Sequence, residues 1–144
     1  MQLPHEYTAS ANAEFTSHVT VALEGMPDLT VAPPANFGGP GDLHSPEDLQ
    51  VAAVASCFIL SFKAVAAASK LEWESLSVKV EGALDRVERA VQFTEIKTSA
   101  RLLLAAGASR EKGERLLEKA EQTCFITNSL KADKKLSIEI EGGD

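Results

Sequence analysis

Two cysteines and one carboxylate are the residues of this chain whose types and surroundings suit covalent chemistry. Cys57 sits in SPEDLQVAAVASCFILSF, Ser45 to Phe62, and Cys124 in AEQTCFITNSL. A thiolate can attack an O–O bond, become a sulfenic acid and condense with a second thiol. That cycle requires a lowered thiol pKa, a partner cysteine and an apolar pocket for the alkyl tail, and the sequence offers the last two. Each residue also has a plain structural role. A thiol in an apolar helix packs as a small hydrophobe. Cys124 follows a charged helix and precedes Thr127 and Asn128, a setting in which thiols are commonly inert. Glu47 would serve as an acid at the positive end of a helix dipole. On residue chemistry alone, core filling and a working thiol both remain open for Cys57.

Spacing limits how these groups can combine. Glu47 precedes Cys57 by ten residues, which on one straight helix is roughly 15 Å and about 80° around the axis. The two side chains cannot meet within one helix. Either the helix breaks between them, or Glu47 arrives from a second subunit, which a two-fold dimer would provide twice over. The cysteines stand 67 positions apart and form no CxxC pattern, and the three histidines are scattered. No metal site, disulfide framework or cofactor is expected.

The elements that must position these residues follow from pattern. Ala13 to Leu23 alternates as a strand, and Gly25 to Pro27 turns the chain into a second short strand, Asp28 to Val31. Pro33 to His44 holds three prolines and three glycines, a loop that must approach something closely. Ser45 reads as an N-cap, Pro46 as the first helical residue, and Glu47 and Asp48 as first-turn acids. The helix is expected to run to about Ser69 or Lys70, about 25 residues and roughly 37 Å. Being apolar on nearly every side through Val51 to Phe62, it should be enclosed by protein. Leu76 to Leu84 and Ala90 to Leu104 read as a long antiparallel hairpin. A surface helix follows from Ser109 to Cys124, and Lys135 to Glu141 closes as a strand. The order implies one α+β domain over residues 1–144, with helices set between antiparallel strands.

Composition excludes several partners. The chain has 144 residues with 14 basic and 21 acidic side chains, a formal charge of -7, and no Lys or Arg before Lys63. Nucleic acid and anionic membranes both require clustered basic charge, so neither is expected. The N-terminus lacks the basic start and apolar core of a secretory signal, and Ser56, Ser61 and Lys63 interrupt the most apolar segment. A cytoplasmic, non-membrane protein is the expectation.

SPEDLQVAAVASCF resembles the N-P-E-[EQ]-L-x-A-A-x-x-A-C-F element of the OsmC/Ohr family, the osmotically inducible and organic hydroperoxide resistance proteins. AEQTCFITNSL resembles its second-cysteine element, C-P-[VY]-S-x-x-L, and NFGGPGDLHSPEDL its glycine-rich approach to the helix. The resemblance implies an intertwined homodimer of α+β subunits, antiparallel sheets around a long buried central helix, with active sites at the subunit interface. It implies Cys57 as peroxidatic cysteine, Cys124 as resolving cysteine and Glu47 as the site carboxylate, acting on Cys57 of the other chain. Phe37, Phe58 and Ile59 would line the alkyl pocket, with core packing as their other reading. The implied activity is reduction of organic hydroperoxides in oxidative stress defence, with a dithiol reductant such as a lipoylated protein and no cofactor. A binding or structural member of the fold with weak or no peroxidase activity is the competing reading. A hot-dog-like acyl-thioester binder is a third, disfavoured by the paired cysteines.

The sequence departs from the family pattern in two places. The family arginine that pairs with the carboxylate and stabilises the thiolate has no counterpart: Asn36 is nearest in the loop, and the first arginine is Arg86. The proline after the second cysteine is Phe125. A buried thiolate with no cation beside it has its pKa raised. His44, Arg86, Arg89 and Arg101 are the available cations, each with a solvated surface role as its alternative.

Overall fold

The computed structural model describes residues 2–144, which separate into two compact units, the residues up to Gln50 and Val51–Asp144. In the first unit, β1 (Ser10–Asn12), β2 (Val19–Ala22) and β3 (Leu29–Val31) form an antiparallel sheet in that order. The strand expected over Ala13 to Leu23 is realised only in its second half. Glu14 N–H donates to Ser17 Oγ at 2.8 Å and Ser17 N–H to Glu14 O at 3.2 Å. That local bonding offers the backbone an alternative to a ladder, and it folds Ser10–Asn12 back onto Thr20–Ala22. The β2–β3 hairpin turns about Gly25, as expected, with φ 78°.

The proline- and glycine-rich loop closes where Ala32 N–H donates to His44 O at 2.9 Å. Within it Ala35–Phe37 make a short 3₁₀ turn. A Cβ on Gly39 would stand 1.6 Å from Pro33 O. The close approach anticipated for this loop is thus to its own backbone, and only glycine allows it.

Helix α1 spans Pro46–Ala68. The fully buried Ser45 caps it: its Oγ accepts Asp48 N–H at 3.1 Å and donates to Asp48 Oδ2 at 2.9 Å. Its C-terminus is a Schellman turn. Leu71 N–H reaches Ala66 O at 3.0 Å, Lys70 N–H reaches Ala67 O at 3.2 Å, and Lys70 adopts the left-handed region at φ 56°.

In the second unit β4 (Trp73–Val87) and β5 (Ala90–Leu104) form the expected antiparallel hairpin, β4 extending further at both ends than its alternation predicted. Helix α2 (Arg110–Thr123), capped by Ser109, and a single turn α3 (Phe125–Asn128) lead into β6 (Asp133–Gly142). Strand β6 pairs parallel with β5, so this sheet is mixed rather than antiparallel throughout. The crossover through α2 and α3 returns the chain in its original direction, which an antiparallel neighbour could not use.

The core of this unit joins three periodicities. Val54, Phe58, Phe62 and Ala66 recur every four residues along α1; Ile96, Thr98, Ala100, Leu102 and Leu104 alternate along β5; Leu116, Leu117 and Ala120 come from α2. A Cβ on Gly113 would already stand 3.2 Å from Leu102 Cδ2, so glycine lets α2 lie close to the sheet. The Phe62 and Trp73 rings meet edge to face with centroids 5.3 Å apart. By length and composition α1 could cross a membrane, yet here one of its faces is the core of a globular unit. The sequence implied burial all round; only the four-residue stripe is fully buried, Val65 is partly buried against the same core, and Leu60 remains 66% exposed.

Replacing Phe62 with alanine is expected to cost about 3–5 kcal/mol of unfolding free energy, read by chemical denaturation through the fluorescence of Trp73, the sole tryptophan.

Candidate functional site

The stripe that anchors α1 also sets the position of Cys57. Val54 packs in a small cluster with Ile96 and Ala132, joined by Ile126 and Leu130 from α3 and its exit. This clamps α3 to the turn of α1 that carries Cys57. Cys124 closes α2 and opens α3: its backbone is extended, at φ -69° and ψ 111°, and its N–H bonds Glu121 O while its C=O accepts Asn128 N–H. The first N–H groups of a helical turn have no partner inside it, and those of Phe125 and Ile126 are free to face Cys57.

The two cysteines are not joined in a disulfide, and each thiol influences the ionisation of the other. Cys124 is fully buried and Cys57 half-buried. Burial pushes the Cys57 thiol up, but four other influences outweigh it and bring it below the ordinary thiol value. In order these are the Ile126 N–H, the Cys124 thiol, the Ser61 hydroxyl and the Phe125 N–H. Ser61 lies one turn along α1, with Oγ 4.0 Å from Cys57 Sγ. Cys124 moves the other way. Burial raises its pKa, donation to Cys57 and the charge there raise it further, and Thr127 only partly offsets this, its hydroxyl donating to Cys124 Sγ at 2.9 Å. The pair is polarised: Cys57 is the readily ionised member and Cys124 the one that keeps its proton.

Among the described residues, no cation is one of the groups that lower the Cys57 pKa. Arg101, considered from sequence as a source of charge, is exposed and paired with Glu141. Arg86 and Arg89 sit exposed at the turn of the β4–β5 hairpin, and His44 is exposed beside β3. The missing signal was in the backbone. Where the family pattern has proline after the second cysteine, Phe125 has an N–H, and that N–H is one of the donors acting on Cys57.

The other expected site residues fall elsewhere. α1 is unbroken from Pro46 to Ala68, which removes the option of a break between Glu47 and Cys57. In the first unit Glu47 and Phe37 line one cavity of about 400 Å³, with Val31, Pro33 and Pro34 among its walls. Glu47 Oε1 is enclosed there without a hydrogen-bond partner. Phe58 is 1% exposed inside the core cluster, in the packing role that is its other reading from sequence. Ile59 is half-buried on α1.

The chain is α+β, and its two free thiols shift each other's ionisation in opposite directions. Residues 39–139, which include α1, Glu47 and both cysteines, match the family of OsmC-like proteins, and the chain belongs to that family. Among curated proteins it is similar to the uncharacterized protein YmaD of Bacillus subtilis (strain 168), 26% identical over 113 residues that cover 76% of this chain and 75% of the relative. Among solved structures it is similar to an OsmC-like protein of unknown function from Vibrio cholerae, with TM-score 0.85, 20% identity and coverage of 94% of this chain and 99% of the other. An organic hydroperoxide resistance protein from Legionella pneumophila has TM-score 0.76 and 24% identity, covering 97% and 99%. One from Elizabethkingia anophelis has TM-score 0.78 and 21% identity, covering 99% of each chain. The α+β fold expected from sequence is the fold these structures share.

Because the Cys57 pKa is lowered and that of Cys124 raised, iodoacetamide should label Cys57 first near neutral pH and persist to lower pH there. Phe125→Pro, which keeps a residue suited to the first turn of a helix but deletes the N–H, is expected to slow that labelling about three- to tenfold. Peptide mass mapping reads both, and an unchanged Cys57 rate would remove Phe125 from the account.

Proposed function

We propose that this protein reduces organic hydroperoxides through its thiol pair. The observation that carries the reading is the polarised contact between Cys57 and Cys124. Cys57 thiolate attacks the distal oxygen of ROOH; the O–O bond breaks, Cys57 becomes a sulfenic acid, and the alkoxide leaves as ROH after taking a proton. The Cys124 sulfur then attacks the sulfenic sulfur as its thiol proton passes to the departing hydroxide, forming the Cys57–Cys124 disulfide and releasing water. An external dithiol, such as the dihydrolipoyl group of a lipoylated protein, reduces the disulfide and leaves as its own disulfide. The half-burial of Cys57 favours it as the sulfur first met by peroxide, and the contact between the thiols favours condensation over further oxidation.

The reading includes a homodimer. Its support is the uncovered apolar surface of α1, represented by Leu60, together with the unbroken helix between Glu47 and Cys57. An isolated apolar helix face of this kind is the usual signature of an interface. Glu47 then orients the Cys57 site of the other copy. One observation favours the second reading, a binding member of the fold with weak or no peroxidase activity: every group that lowers the Cys57 pKa is uncharged.

Stoichiometric cumene hydroperoxide added to the reduced protein is expected to remove both thiols quickly, with a mass change of two hydrogens. Cys57→Ser should abolish the loss, and Cys124→Ser should stop at a sulfenic acid trapped by dimedone. Thiols that survive excess peroxide would leave the binding reading. For the assembly, Leu60→Lys is expected to convert a dimer to a monomer in light scattering, and a wild-type chain that scatters as a monomer would contradict this part.

A further inference from the structure

Among the described residues the buried polar side chains are Ser45, Thr98 and Thr127. Ser45 caps α1 and Thr98 lies within β5, whereas Thr127 meets a sulfur: its hydroxyl donates to Cys124 Sγ at 2.9 Å, with both residues inside the protein. Thr127 follows Cys124 by three residues in α3, which brings its side chain back over that atom. Hydrogen bonds to the neighbouring elements hold the turn. Asn128 Nδ2 donates to Gln122 O of α2 at 3.0 Å, and Lys134 Nζ of β6 donates to Asn128 Oδ1 at 3.1 Å. The Thr127 hydroxyl and N–H both lower the Cys124 pKa, while burial and the charge on Cys57 oppose them.

The opposition from Cys57 lasts only while Cys57 is a thiolate. In a Cys57–Cys124 disulfide neither sulfur is charged, and the sulfur that leaves when a reductant attacks is the one that gains the charge. Leaving-group strength and access decide which sulfur that is. Strength favours expulsion of Cys57, the more acidic thiol of the reduced pair. Access favours the opposite order, because Cys57 is half-buried and Cys124 is 0% exposed. Displacement at sulfur places the attacking, attacked and leaving sulfurs in line, and a line from solvent through Cys57 ends on the deeper Cys124. Burial penalises a thiolate there, so the leaving sulfur needs a donor. The Thr127 hydroxyl already points at it, and hydrogen bonds to a charged acceptor are the stronger kind.

We propose that the reductant attacks Cys57 and expels Cys124 as a thiolate held by the Thr127 hydroxyl. The reductant's sulfur bonds to Cys57 as the Cys57–Cys124 bond breaks; the electron pair of that bond goes to Cys124, which then takes a proton from solvent. The second thiol of the dithiol attacks the reductant's own sulfur in the mixed disulfide, and Cys57 leaves. Two electrons and two protons pass from the dithiol to the cysteine pair. The proposal deepens the peroxidase reading and rests on it for the disulfide. It makes Thr127 a residue of the reductive half of the cycle.

Diamide, which needs no peroxide, is expected to join the two thiols of the reduced full-length protein. Excess 2-mercaptoethanol, quenched early with N-ethylmaleimide and mapped by peptide mass, should then leave mercaptoethanol on Cys57 and the alkyl group on Cys124. Dithiothreitol should reduce the disulfide of Thr127→Val about tenfold more slowly than that of wild type, and Thr127→Ser should restore the rate. A merely structural Thr127 predicts the opposite sign, since a loosened α3 would expose the disulfide and speed its reduction. The adduct map uses the wild-type chain, so it decides the attacked sulfur even if Thr127→Val is unstable. Mercaptoethanol on Cys124 would overturn the proposal, as would an unchanged or faster rate in Thr127→Val, or diamide failing to join the pair. Thiols that resist cumene hydroperoxide yet behave as expected here would contradict the peroxidase reading alone.

Discussion

The structure depends on a short run of uncharged hydrogen bonds that ends on one sulfur. Thr127 donates its hydroxyl proton to Cys124 Sγ, Ser61 Oγ lies 4.0 Å from Cys57 Sγ, and the Cys124 thiol and the Ile126 and Phe125 N–H groups act with Ser61 to lower the Cys57 pKa. Burial of Cys57 alone would leave it protonated. Hydrogen bonds to the charged form reverse that, and each donor in such a chain polarises the next. The same contact that favours ionisation of Cys57 holds back ionisation of Cys124, so one arrangement produces both an attacking sulfur and a protonated partner.

Everything around this contact serves to hold it. The Val54, Phe58, Phe62, Ala66 stripe fixes the rotation of α1 and with it the direction of Cys57. Ile126 and Leu130 pin the short turn whose N–H groups face that sulfur. The extended backbone of Cys124 ends α2 and begins α3 within one residue. Such a junction leaves first-turn amides without helical partners, and that is the resource used in place of a cation.

Much of this was legible in sequence because it is local. The capped start of α1, the β4–β5 hairpin, the amphipathic α2 and the family pattern around both cysteines are short-range signals, and the structure contains each of them. The first strand was misread because a serine-based turn at Glu14–Ser17 interrupts an alternation that periodicity alone cannot distinguish from a strand. The parallel pairing of β6 depends on where the crossover returns, which no local pattern records. Phe58 read equally as pocket or core until its burial decided for core. Most instructive was the absent arginine. Side-chain letters suggested an unsupported thiol, because backbone amides, the donors actually present, have no letter of their own.

The account's central claim is that neutral donors, not an ion pair, ionise Cys57. It is tested most directly by following thiolate absorbance of the Cys124→Ser protein, whose serine hydroxyl can still donate, at low and at high ionic strength. A Cys57 pKa below the ordinary thiol value that barely moves with salt is the expected result. A pKa at or above the ordinary value, or one that climbs as salt screens a charge, would contradict the account.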